Sequence, residues 1–121
     1  CRSSFVAGER ALRCAQGHTY DIAKQGYVNL SDAAQPAHAD TAAMVAARSE
    51  LLGSGRYEVL RAALVAAVPP DAIDVVDVGT GTGHYAAGVL DALPAARALG
   101  LDVSVAACRR RLCAWINCRM L

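Results

Sequence analysis

The stretch "AIDVVDVGTGTGHYAAGVLDALP", Ala72 to Pro94, decides how this chain folds. Its β-branched run from Ile73 to Val78 predicts a strand. Gly79 to Gly83 predict a loop, and His84 to Leu93 a helix that Pro94 ends. "RALGLDVS" then predicts a second short strand ending at Asp102. Strand, glycine loop, helix, strand is the opening unit of a doubly wound sheet, so the expected class is α/β.

Glycines let a backbone pass close to a ligand, and the following helix offers its free N–H groups there. The pattern is Asp77-x-Gly79-x-Gly81-x-Gly83. A dinucleotide fingerprint would need glycine at position 84, where this chain has His84. The spacing therefore fits S-adenosylmethionine better than NAD. Asp102 lies 19 residues beyond Gly83, at a strand tip where a carboxylate can accept from both ribose hydroxyls. A tight turn beside a solvated carboxylate is the plainer reading. The coincidence of three alternating glycines with a strand acid and a tip acid favours a nucleotide-type ligand. It says nothing about a methyl acceptor.

Upstream, Asp40 or Thr41 can cap a helix whose apolar face is Met44, Ala47 and Leu51. "GSG" at 53–55 breaks it. A second helix is expected from about Tyr57 to Val68, with Leu60, Leu64 and Val68 along one side and Pro69-Pro70 as its stop. Residues 31–40 read as a linker centred on Pro36. Residues 1–30 lack helical periodicity. Phe5-Val6, a turn at Ala7-Gly8-Glu9, and Ala11 to Arg13 form an expected hairpin. Tyr20, Ile22, Tyr27 and Val28 follow, around a turn at Gln25-Gly26.

The 121 residues are 55% hydrophobic and 19% charged, a balance of globular chains. Much of the apolar content is alanine, so the core should be thin. No secretory signal is recognisable, and the longest apolar tract, "VLRAALVAAVPP", is interrupted by Arg61. A cytoplasmic location without membrane contact is the default. There the five cysteines read as thiols or metal ligands. Net charge is +2 over residues 1–30, −5 over 31–102 and +4 over 103–121. A polyanion would meet attraction mainly at the first thirty residues. Beginning with Cys1 and stopping at Leu121, the chain reads as a fragment.

Cys14 and His18 are spaced C-x3-H, and Cys1 precedes them across the expected hairpin. A zinc ribbon brings ligands together in this way, yet a closed structural site needs four. A fourth could stand just before Cys1. Spacing alone leaves two readings open: half of a metal site, or two buried thiols beside a surface histidine.

"CAQGHTYDIAKQGYVNL", Cys14 to Leu30, closely resembles the zinc-binding start of the bacterial 23S rRNA (guanine-N1)-methyltransferases. This family includes enzymes of tylosin and related macrolide resistance. Its members begin C-P-x-C and continue with C-x3-H, F/Y-D, A-K and G-Y-V-N-L. Cys1, Cys14, His18, Tyr20, Asp21, Ala23, Lys24 and Gly26 to Leu30 occupy those places, with Cys1 as the second cysteine. "HADTAAMVAARSELLGSGRYEVL" resembles the family segment leading to a cofactor-contacting tyrosine, here Tyr57. In the glycine loop, Gly81 and Thr82 fall on cofactor-contacting positions. Thr82 replaces the usual glutamate. The resemblance runs from Cys1 to about Ala107.

It implies a zinc-ribbon-like rRNA-recognition module over 1–32 and a helical region over 33–70. The start of a Rossmann-like methyltransferase domain, with an incomplete sheet, would span 71–107. Implied metal ligands are Cys1, Cys14 and His18. Implied cofactor residues are Tyr57, Asp77, Gly79, Gly81, Thr82, Gly83 and Asp102. The cofactors would be S-adenosyl-L-methionine and Zn2+, the partner a hairpin-loop guanine of 23S rRNA, and the full-length protein a candidate homodimer. Arg2, Arg10, Arg13 and Lys24 are candidate RNA contacts, against a reading as solvated charges. His38 and His84 read as a linker residue and a helix start, and Tyr27 as module core. No residue is assigned to catalysis.

Residues 108–121 leave the family pattern. Cys108, Cys113 and Cys118, five apart, would wind round a helix without converging, and the arginines with Trp115 read as a stray basic tail. The expected activity is S-adenosylmethionine-dependent methylation of guanine N1, with the chain itself too short to perform it. The alternatives are a non-enzymatic remnant keeping zinc or RNA binding, a methyltransferase with another substrate, and a nicotinamide-dependent oxidoreductase. His84 and the ribbon-like start argue against the last.

Overall fold

A computed structural model describes residues 3–30, 38–110 and 118–120. The strands are β1 (Phe5–Ala7), β2 (Ala11–Cys14), β3 (Thr19–Asp21), β4 (Asp74–Val78), β5 (Arg97–Leu101) and β6 (Cys118–Met120). The helices are α1 (Ala42–Gly53), α2 (Glu58–Ala67), α3 (His84–Ala92) and α4 (Val105–Arg109). They build an antiparallel sheet β1-β2-β3 and a parallel sheet β4-β5-β6.

The small sheet follows from its turns. The Gly8 amide donates to the Ala11 carbonyl at 2.9 Å and closes the first hairpin, setting Phe5 opposite Cys14. Gly26, at φ +90°, donates to the Ala23 carbonyl and lets Val28 bridge back to Ile22. Leu12, Cys14 and Val28 are buried, while the rings of Phe5 and Tyr20 meet edge-on at 5.7 Å. That is little apolar area for an independent module, as expected for one held by something besides its core.

Thr41, not Asp40, caps α1: its side chain accepts the Met44 amide. The buried face also differs from expectation. Val45 is 1% exposed, whereas Met44 and Leu51 are 51% and 43% exposed and Ala47 is exposed too. Apolar residues, four of them alanine, face most sides of this helix, so periodicity alone does not single out a stripe. The side that packs is set by contact with α4. In α2, Leu60 and Leu64 are exposed and no residue is buried, another departure from the predicted face. This helix meets α3 through Arg61, which pairs with Glu58 and, at 2.7 Å, with Asp91. The Arg61 stem lies where a Cβ on Gly88 would stand.

Parallel pairing of β4 with β5 places Asp77 opposite Gly100 and Val78 opposite Leu101. One alternation of this sheet, containing Ala98 and Gly100, is buried on the α3 side. The other carries Val76 and Val78, at 60% and 78% exposure, flanked by an Asp74–Arg97 ion pair. The tail departs from the expected single helix. Cys108 ends buried in α4, and Cys118–Met120 pair parallel with Ala98–Gly100 as a third strand. Cys113 and Trp115 lie outside the described residues. Among the described residues, no helix is long and apolar enough to cross a membrane.

Candidate cofactor and metal sites

The glycine loop leaves β4 and turns into α3. Gly79 and Gly83 take φ values of +79° and +77°, a region costing other residues about 1–2 kcal/mol. A Cβ on Gly79 would meet nothing within 4 Å. The glycine there serves backbone shape and not clearance from protein atoms. The Gly79 and Thr80 amides both donate to the Leu101 carbonyl, at 2.7 and 3.0 Å, and Gly83 donates back to Thr80 at 2.8 Å. The loop is thereby tied to the tip of β5.

At that tip the Asp102 carboxylate accepts from two backbone amides, Gly81 at 2.8 Å and Ser104 at 2.7 Å. A carboxylate offers about four lone-pair sites, so two amides leave capacity for hydroxyl donors. Sequence spacing placed this acid beside the loop, and the geometry agrees. Thr82 is 2% exposed; its hydroxyl, like His84 Nε2, is buried with no protein hydrogen-bond partner. These inward polar atoms suit a polar ligand at the start of α3. Asp77 is half-buried at the end of β4. Tyr57 stands at the N-cap of α2, 38% exposed, and makes none of the hydrogen bonds that build the loop.

Gly100 is the close approach in this region. A Cβ there would lie 2.8 Å from Thr80 Cγ2 and 3.1 Å from its hydroxyl. Thr80 is 9% exposed and short, so it has little room to yield. Gly100→Ala is expected to cost about 1–3 kcal/mol, the usual penalty of overpacking. Urea unfolding of the two chains checks it; equal midpoints would refute the contact.

Sequence reading passed over Ser104. It is 2% exposed and caps α4, its side chain accepting the Ala107 amide at 3.2 Å. Its hydroxyl donates to the Asp40 carbonyl at 3.0 Å. Serine followed by an alanine-rich run was the available signal for a cap. Cys108, on the same helix, has its thiol pushed up by burial and then by the Asp102 charge. A thiol raised by folding adds stability below its ordinary value and loses it as pH rises through the folded one. Iodoacetamide at pH 8 should therefore label Cys108 much more slowly in the folded chain than in urea. Equal rates, read by peptide mass spectrometry, would contradict this.

In the small sheet, Cys14 Sγ and His18 Nδ1 approach to 3.2 Å. Two ligands of one tetrahedral zinc ion stand about 3.5 Å apart, so the pair fits a shared ion. The knuckle is shaped by Cys14 donating to the His18 carbonyl and Gly17 to the Cys14 carbonyl. Burial opposes ionisation of Cys14, yet the His18 side chain and the Gln16 and His18 amides hold the thiol below its ordinary value. A lowered thiol is the ligand-ready form. Cys1 and Arg2 lie outside the described residues, and no cluster of three or more His, Cys, Asp or Glu ligands occurs among the described ones. Arg10, Arg13 and Lys24 are exposed. Tyr27 is half-buried, its hydroxyl accepting Arg109 Nε at 3.2 Å, which ties this module to α4.

Comparison with known proteins adds a decisive match: residues 1–35 fit the zinc-ribbon model described as RlmA, N-terminal. The chain is also 47% identical over 122 residues to "Putative 23S rRNA (guanine-N(1)-)-methyltransferase" of Micromonospora griseorubida, covering 87% of this chain and 41% of that protein. It is 45% identical over 117 residues to "23S rRNA (guanine(748)-N(1))-methyltransferase" of Streptomyces fradiae, covering 91% of this chain and 41% of that protein. The chain thus spans about two fifths of the length of these curated relatives. Its resemblance to their family, read from the zinc ribbon and the glycine loop, holds.

Proposed function

We propose that this chain is the RNA-recognising and cofactor-binding portion of an S-adenosylmethionine-dependent enzyme that methylates N1 of a guanine in a hairpin loop of 23S rRNA. The observation that carries the reading is the Asp102 carboxylate bonded to the Gly81 amide at the lip of the glycine loop. The relatives' names supply the substrate class.

In this reading residues 1–32 recognise the RNA. Cys14 and His18 hold a zinc ion together with Cys1, and Arg10, Arg13 and Lys24 meet phosphates. Residues 33–70 lead to the cofactor region that opens at 71. Asp102 accepts the ribose hydroxyls, while the Gly79–Gly83 turn and the start of α3 cradle the rest of the cofactor, with Thr82 supplying an inward hydroxyl. When bound, the cofactor's sulfonium supplies the methyl group. The target guanine must be unpaired for its N1 to be reached and must shed the N1 proton, a step assigned to no described residue. The enzyme would act in the cytoplasm, alongside its rRNA.

The test pairs two assays on the 121-residue chain: calorimetric binding of S-adenosylmethionine, and transfer of labelled methyl to a 23S rRNA hairpin. Binding without transfer is expected, because no described residue is assigned to accept the N1 proton. Absence of cofactor binding would overturn the reading, and robust transfer by this chain would overturn the view that it is too short. Sedimentation of a full-length relative tests for a homodimer.

A further inference from the structure

Ser104 forms a junction that the cofactor reading does not use. Its amide donates to Asp102 Oδ1 at 2.7 Å, and its hydroxyl donates to the Asp40 carbonyl at 3.0 Å. Its oxygen also accepts the Ala107 amide at 3.2 Å. Residues 64 apart in sequence, Asp40 and Ser104, are thereby joined next to the carboxylate that meets Gly81. Asp40 is itself held by an ion pair with Arg48 of α1. At 2% exposure Ser104 is surrounded by protein, so losing its hydroxyl would strand two backbone groups.

We propose that Ser104 is a positioning residue for Asp102: its side-chain bonds to Asp40 and Ala107 aim the Ser104 amide at the carboxylate and set the Asp102–Gly81 contact. This rests on the cofactor reading only where it speaks of S-adenosylmethionine affinity. The junction also fixes the segment entering α1 against the ribose-binding acid. Cofactor affinity therefore depends on a residue whose side chain touches no ligand.

Two measurements on the full 121-residue chain test it. Amide hydrogen exchange of Gly81, followed by NMR without cofactor, reads the Asp102 contact directly. Calorimetry reads the dissociation constant for S-adenosylmethionine. Ser104→Ala should speed Gly81 exchange and weaken the cofactor by about fivefold, the size of one lost neutral hydrogen bond. Ser104→Thr, which keeps the hydroxyl, should restore both. Ser54→Ala removes a side-chain bond at the far end of α1, to the Leu51 carbonyl, and should change neither, separating positioning from a general loss of helix stability. Unchanged Gly81 exchange in Ser104→Ala would overturn the proposal, as would the same effects in Ser54→Ala. Faster Gly81 exchange in Ser104→Ala, with no cofactor binding by the parent chain, would support the positioning role and overturn the cofactor reading instead.

Discussion

Asp102→Ala should weaken S-adenosylmethionine binding by at least about a hundredfold, since each charge-assisted hydrogen bond contributes about 1.5–3 kcal/mol and more than one is lost. The effect has two origins. In the proposed site the ribose hydroxyls would lose their acceptor, and the Gly81 and Ser104 amides, now at 2.8 and 2.7 Å from the carboxylate, would lose theirs. The loop would then bind weakly even to a ligand lacking the ribose. Asp102→Asn separates these origins. Its single carbonyl oxygen can accept one of the two amides, while its NH2 group repels the other. Asn should therefore fall between Asp and Ala. Calorimetry with S-adenosylmethionine measures it; a change of less than about threefold in Asp102→Ala would remove the carboxylate from the site.

The second large effect concerns metal. Cys14→Ala should drop bound zinc from near one ion per chain to below about a tenth, because apparent zinc affinities of about 10–16 kcal/mol are built by thiolate and imidazole acting together. With Leu12, Cys14 and Val28 as the buried residues of the small sheet, loss of the ion should also melt β1 to β3. The β4–α3–β5 unit should stay folded, since the elements it packs against, α2 and β6, lie outside the small sheet. Elemental analysis after gel filtration gives the zinc content, and hydrogen exchange gives the melting. Cys108→Ala serves as the comparison: it removes another buried cysteine and should keep the metal. Equal zinc in parent and Cys14→Ala would dismiss the site.

The glycine loop, both strands around it and the acid at 102 were legible because they depend on local rules. Valines prefer strands, positive φ selects glycine, and parallel register then carries Asp102 to the loop. The packing faces of α1 and α2 were not. Apolar residues face most sides of α1, so several faces are open to packing, and contact with α4 sets the one with Val45. The third strand at Cys118–Met120 was hidden for a related reason. Its pairing is supplied by the β5 backbone, and "CRM" carries no strand signature of its own. Ser104 was missed because its value lies in a partner far along the chain. In the small module, Cys14 and His18 were visible from spacing, while Tyr27 was taken as plain core. Its hydroxyl instead reaches α4 through Arg109.

Val76 and Val78 have a practical consequence. They stand side by side on one surface of the parallel sheet, next to the Asp74–Arg97 ion pair. A purified preparation should therefore be sticky: it should bind hydrophobic dyes, precipitate early in ammonium sulfate and engage chaperones when overproduced.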